Sequence, residues 1–305
     1  MRKFIVTVDT EGDNLWDWKL GNTISTENAD YMGSFQELCE KYSFKPVYLV
    51  NYEMAQSDVL VDVLRPKAEK GLCEIGMHLH AWNSPPKYEL PVIYSGCPYI
   101  TEYPQEVIYE KHKFLQDYIE DRFGQKPVTY RAGRWATDDR VFSVLETLGF
   151  KVDCSVAPGI SLKNGVGMTV KHGNSYVGFS KTPYRIKGEL IEVPMTTRCV
   201  RSMRGATVRN RAKHFIKGEE LWLRPVIHTY EDLLRLRGIV ENEGCDYLEF
   251  MIHSSELMPG GSPYGKTEVA VRDIYSRMER FFEAVSGDYE GIMLKDYHGI
   301  LKESV

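Results

Sequence analysis

The chain has 305 residues, 43% hydrophobic and 27% charged, which is enough to bury a sizeable core in one large α/β domain. A formal net charge of −5 gives no overall case for nucleic-acid binding, and no apolar run approaches the roughly 20 residues that span a bilayer. The 6 cysteines show no CxxC and no tight spacing, so they read as reduced, mostly buried thiols.

The first apolar run, Phe4 to Val8, turns abruptly acidic at Asp9 and Glu11. In a strand these two carboxylates stand two residues apart and share a face. Only Met1, Arg2 and Lys3 precede this run, so a cleaved signal peptide is not expected, and the cytoplasm is the expected location. Residues 28–42 read as a helix, Pro46 to Val50 as a strand, and 59–70 as a helix stopped by Gly71. Leu72 to Met77 is the next strand, and it delivers His78 and His80, again two apart on one face. Two imidazoles so placed can share one metal ion. On its own the pair is equally consistent with exposed histidines at a polar strand end.

Residues 83–104 form a long loop rich in proline and tyrosine. Gln105 to Phe123 is a helix. Pro127 to Tyr130 is a strand ending in Arg131-Ala132-Gly133-Arg134-Trp135, and Thr137 is the expected cap of a helix running to Leu148. Phe150 to Ser155 is a strand carrying Asp153, and Leu190 to Pro194 is a short strand. Residues 159–225 form an irregular and then strongly basic insert, after which a helix spans 230–243. The strand Tyr247 to Ile252 presents His253, and a last helix spans 269–285. Strand signals alternating with helical ones point to βα units, and several strands end in a chemically useful residue.

Five ordered stretches resemble the polysaccharide deacetylases of the NodB-homology type: Val8-Asp9-Thr10-Glu11, Gly76-Met77-His78-Leu79-His80, Tyr130-Arg131-Ala132-Gly133-Arg134-Trp135, Val152-Asp153-Cys154-Ser155 and Met251-Ile252-His253-Ser254. The resemblance covers Lys3 to about Tyr264 and implies a single catalytic domain with a distorted, incomplete (β/α) barrel. It also implies a divalent metal, zinc first, held by Glu11, His78 and His80. Asp9 would then be the base, Arg131 its orienting partner, and His253 the proton donor, with Asp153 favouring its charged form. Two departures stand out. Trp82 occupies the usual position of the second histidine, so His80 or a water must substitute, and Glu11 replaces the commoner aspartate.

The implied activity is removal of an N-acetyl group from a sugar, a precursor of a surface polysaccharide. The alternatives are hydrolysis of a small amide by another barrel amidohydrolase, or glycan binding without catalysis. Trp82 and Trp135 are candidates to stack on sugar faces, with Arg134 as a further contact. Arg198 opens a basic run with Arg201, Arg204, Arg209, Arg211, Lys213 and Lys217. Either this run is a solvated face, or it grips the phosphate of a nucleotide- or lipid-linked sugar; with Phe215, Leu221 and Trp222 at its end, a transient membrane-surface contact is a third option.

Overall fold

The computed structural model describes residues 1–19, 21–202, 204 and 207–303. Eleven strands are found among these residues: β1 (Arg2–Thr10), β2 (Val47–Val50), β3 (Glu74–Leu79), β4 (Thr129–Ala132), β5 (Val152–Asp153), β6 (Tyr184–Lys187), β7 (Leu190–Glu192), β8 (Thr197–Val200), β9 (Glu219–Trp222), β10 (Tyr247–His253) and β11 (Tyr289–Gly291). The main sheet runs β10-β1-β2-β3-β4-β5-β7-β6, and β11 pairs with the start of β1. Its pairings are parallel except β6 with β7. The sheet curls into a half-barrel that does not close, the incomplete barrel expected from the motifs.

The strands are parallel because their sequences suit burial on both faces. β1 is buried from Phe4 to Thr10, and β2, β3, β4 and β10 are buried throughout. Helices cover the outside, among them Met32–Lys41, Asp58–Glu69, Gln105–Phe123, Asp139–Leu148, Tyr230–Asn242 and Glu268–Ser286. The N-terminal end of the barrel is closed by aromatic packing: Phe4 lies 4.7 Å from Phe44 and 5.7 Å from Phe282, ring centre to ring centre. Charge collects at the opposite, C-terminal end, where barrel enzymes build their sites.

The register delivers that charge. Asp9 on β1 faces His253 on β10, and His78 on β3 faces Arg131 on β4. Pairing with β4 carries β3 on to Leu79, two residues beyond the predicted end, so His78 lies within the strand. The expected helix at 28–42 starts as a 3-10 turn, Glu27–Tyr31, before the α-helix Met32–Lys41. The cap of the helix after β4 is Asp138, whose carboxylate accepts from the Arg140 and Val141 amides, and not Thr137. The strand expected over 150–155 is only Val152–Asp153. The basic insert contains a separate two-stranded ladder, β8 with β9, joined by the helix Val208–Lys217.

Candidate active site

Gly76 lets β3 lie between its neighbours. A side chain there would press on Leu49 Cδ2 at 2.7 Å and on the Thr129 carbonyl oxygen at 3.1 Å. Beyond it, the Nε2 atoms of His78 and His80 stand 3.1 Å apart, and Glu11 Oε2 lies 3.6 Å from the first and 3.1 Å from the second. His78 Nδ1 is 3.0 Å from the Arg131 carbonyl oxygen, which can only accept. The proton therefore sits on Nδ1, and Nε2 turns its lone pair inward. Gly133 makes room for the second imidazole, since a Cβ there would collide with His80 Cδ2 and the Leu79 carbonyl. Glu11 is anchored by its backbone: its amide donates to Ser254 Oγ at 3.0 Å, and its carbonyl accepts from Asn28 Nδ2 at 2.7 Å. Burial raises the Glu11 pKa, but His253, His78 and His80 outweigh it and hold the carboxyl well below its usual range.

Among the described residues, Glu11, His78 and His80 form the group with metal-ligand spacing, all three buried. Two imidazole nitrogens and a carboxylate oxygen converge on one point, and a divalent cation there satisfies all three acceptors at once. Such a mixed nitrogen and oxygen set suits a divalent transition metal. Asp13, a further acid in the same loop, is turned away: its carboxylate accepts from Ser25 Oγ at 3.1 Å and the Asn28 amide at 3.2 Å.

Beside this group runs a buried charge chain. Arg131 is fully buried and donates from Nη1 to Asp9 Oδ1 at 2.6 Å, from Nε to the Cys154 carbonyl at 3.0 Å, and from Nη2 to Glu249. Burial pushes the Asp9 pKa up, yet Arg131, with His78 and His253, brings it below the usual aspartate value. For Glu249 burial prevails, and the pKa is pushed up to about 7. Asp9 is thus held ionised, and Glu249 is the softer partner. Sequence reasoning missed Glu249, although a lone acid inside the apolar run Tyr247–Ile252 was a visible signal.

His253 faces this chain, with Nε2 3.7 Å from Asp9 Oδ2 and 3.8 Å from Glu11 Oε1. Its Nδ1 lies 3.0 Å from Arg224 Nη2, and the same Arg224 nitrogen reaches Glu256. A guanidinium can only donate. His253 Nδ1 is therefore the acceptor, and its proton sits on Nε2, facing the pocket. Glu256 also accepts from the His253 amide at 2.9 Å. Asp153 does not play the part the motif implied. It lies opposite Glu192 in the register of β5 and β7 and accepts from Ser155 Oγ at 2.6 Å. Burial raises the pKa of both carboxyls, so a shared proton is favoured over two buried charges. The acids facing His253 are Asp9, Glu11 and Glu256.

The pocket is a cavity of about 480 Å³ walled by Trp16, Trp18, Trp82 and Trp135, with Arg224 and His253 at one side. Trp82 stacks on His80 with ring centres 4.4 Å apart, filling the place of the absent histidine and fixing the ring that substitutes for it. Trp16 meets His253 edge-on at 5.4 Å. Arg134 and Trp135 both have left-handed backbones, φ 57° and 51°, an uncommon pair outside glycine. Arg134 uses its donors on the loops around it, the Cys97 carbonyl, Tyr99 Oη at 2.9 Å and the Val166 carbonyl at 3.0 Å. It lines the pocket as a tether holding the proline-rich loop at the rim.

Arg198 is not at the site. It is 3% exposed, paired with Glu243 at 2.6 Å and bonded to the Thr197 carbonyl at 2.8 Å, at the base of the hairpin. Among the described residues, Arg201, Arg204, Arg209 and Arg211 do not line the pocket either, and the side chains of Lys213 and Lys217 lie outside the described residues. The insert's contribution is Arg224, just past β9, which nothing in its residue pattern singles out from its basic neighbours.

No protein-family model and no curated protein matches the sequence. Solved structures do. A protein of Mycobacterium smegmatis assigned as a polysaccharide deacetylase superposes with a TM-score of 0.59 at 14% identity, over 99% of this chain and 91% of that one. The fold is that of the polysaccharide deacetylases. A structure named Puue allantoinase has a TM-score of 0.56 at 13% identity, over 99% and 90%. A 4-alpha-glucanotransferase from Thermococcus litoralis has a TM-score of 0.57 at 15% identity, over 98% of this chain but 40% of that one. These likenesses show the half-barrel fold; the chemistry rests on the residues just described.

Proposed function

We propose that this protein is a metal-dependent hydrolase that removes an N-acetyl group from a sugar. The observation that carries the reading is the convergence of Glu11, His78 and His80 beside a buried Asp9–Arg131 pair and the Nε2–H of His253, at the floor of a pocket walled by tryptophans. Glu11, His78 and His80 would hold a divalent ion, which would supply Lewis-acid polarisation of the acyl carbonyl. The chain's own residues do the rest. Asp9, kept ionised by Arg131, takes the proton of the attacking water. The neutral His253 ring donates a hydrogen bond from its Nε2–H to the reacting acyl group, and Arg224 fixes the tautomer that makes this donor available. Asp9 passes the water's proton on to the departing nitrogen and is ionised again for the next cycle. The tryptophans exclude water and offer flat faces to a sugar ring. The M. smegmatis neighbour, assigned as a polysaccharide deacetylase, supports this substrate class.

A second reading, hydrolysis of a small amide, draws on the neighbour named as an allantoinase and on a cavity that one sugar ring or one small heterocycle would fill. Metal content by mass spectrometry, combined with release of acetate from N-acetylated sugars, separates the two. Zinc-loaded protein that releases no acetate from any N-acetyl sugar yet opens a small cyclic amide would displace the first reading.

A further inference from the structure

The helix Val208–Lys217 bridges β8 and β9 on a ladder separate from the main sheet. At about 3.6 residues per turn, Val208, Ala212, Phe215 and Ile216 fall on one side, with Arg209 and Arg211 at its two edges. That apolar side faces outward: Val208 is 81% exposed, Phe215 56% and Ile216 71%, and Ala212 is exposed as well. The other side turns to the protein, where His214 Nδ1 meets the Arg204 carbonyl at 2.8 Å and the His214 carbonyl accepts from the Ser202 amide at 3.4 Å. Over these ten residues the sequence has Arg209, Arg211, Lys213 and Lys217 and no acid, in a chain whose net charge is −5.

We infer that this helix is an interfacial anchor that lies on an anionic lipid surface, its apolar side in the acyl boundary and its arginines at the headgroups. A short helix with aromatic and aliphatic residues on one side and cations flanking them is built for that boundary. Among the described residues no helix is long and apolar enough to cross a membrane, so the contact is peripheral. A second copy is a poor occupant, because a two-fold interface would set Arg209 and Arg211 of one copy against those of the other. Arg209 and Arg211 contribute about 1 kcal/mol each near an anionic surface, which makes the attachment salt-sensitive. β9 leads from this helix to Arg224, so a docked helix holds the surface close, along the chain, to one wall of the pocket. The inference does not depend on the hydrolase reading, since it concerns residues outside the pocket.

The test is co-sedimentation of the full chain with vesicles of phosphatidylcholine alone and of phosphatidylcholine mixed with phosphatidylglycerol. Binding should favour the mixed vesicles by at least about tenfold and be largely lost at about 0.5 M salt. The double variant Phe215→Ser, Ile216→Ser should lose binding while keeping its circular dichroism spectrum and its activity on soluble substrate. Three results would overturn the inference: no preference for the mixed vesicles, undiminished binding by the double variant, or a wild-type dimer in sedimentation velocity that the double variant turns into monomer.

Discussion

Asp9 and His253 face one another across adjacent parallel strands, and their side chains approach to 3.7 Å, carboxylate oxygen to imidazole nitrogen. Neither is a metal ligand in the arrangement described, so each can be altered with the ligand set left in place. Asp9→Asn keeps the shape and the hydrogen bond from Arg131 but cannot take up a proton. Turnover should fall about 10²- to 10⁴-fold, with metal stoichiometry unchanged by mass spectrometry. Near wild-type turnover would remove Asp9 from the role of base.

The substitute histidine makes the sharper claim about the metal. His78→Ala should abolish stoichiometric metal. His80→Ala should weaken affinity in competition with a chelating dye by more than about 100-fold, beyond the loss usual for an outer partner. Unchanged affinity in the second variant would mean that His80 is held by Trp82 as part of the wall and that a different group completes the site.

Arg224 fixes where the His253 proton sits. In Arg224→Met the donor to Nδ1 is gone, and Glu256 is left 3.6 Å from that nitrogen as an acceptor. The ¹⁵N shifts of His253 should move from the Nε2–H form towards the Nδ1–H form, and turnover should fall roughly 10²-fold with metal retained. A loss of turnover without a tautomer change would make Arg224 a packing residue.

His112 supplies a pH signature separate from the site. Its Nδ1 donates to the Ile108 carbonyl at 2.7 Å, and its Nε2 accepts from Tyr130 Oη at 3.1 Å, so the ring is satisfied only when neutral. Burial lowers its pKa to about 4. Between the ordinary histidine value and that figure the unfolded chain binds a proton the folded chain refuses. Stability contributed here is complete above pH ~6.5 and is lost as pH falls towards 4, by up to about 3 kcal/mol. Urea midpoints measured from neutral to mildly acid pH should therefore fall more steeply for the wild type than for His112→Gln, whose amide keeps both hydrogen bonds without titrating. Parallel curves would contradict the assignment.

What was legible in the sequence were groups whose partners lie on their own strand ends. Asp9, Glu11, His78, His80, Arg131 and His253 each follow a short apolar run, and parallel register brings such ends together. The residues that escaped notice take their meaning from other elements. Arg224 reaches His253 from the hairpin, Glu256 from a 3-10 turn, and Glu249 matters because Arg131 crosses the barrel to meet it. Asp153 misled for the same reason: its own strand is two residues long, and the neighbour that claims it is Glu192, on a different short strand that pairing brings alongside. Arg198 looked like its basic neighbours, and only the fold shows it buried against Glu243.

The central strand β1 draws both flanks from far along the chain: β2 meets only its last residues, while β10 and β11 cover the rest, and Thr7 bonds to Glu249 across 242 positions of sequence. Loop closure over such spans is slow and is rewarded only at the end. During synthesis, Glu11, His78 and His80 all emerge early, yet the strand that aims Glu11 has no stable place until Tyr247 to Gly291 has been made. A nascent chain therefore carries every ligand long before it owns a site, and a metal ion met at that stage finds tethered donors without a cradle.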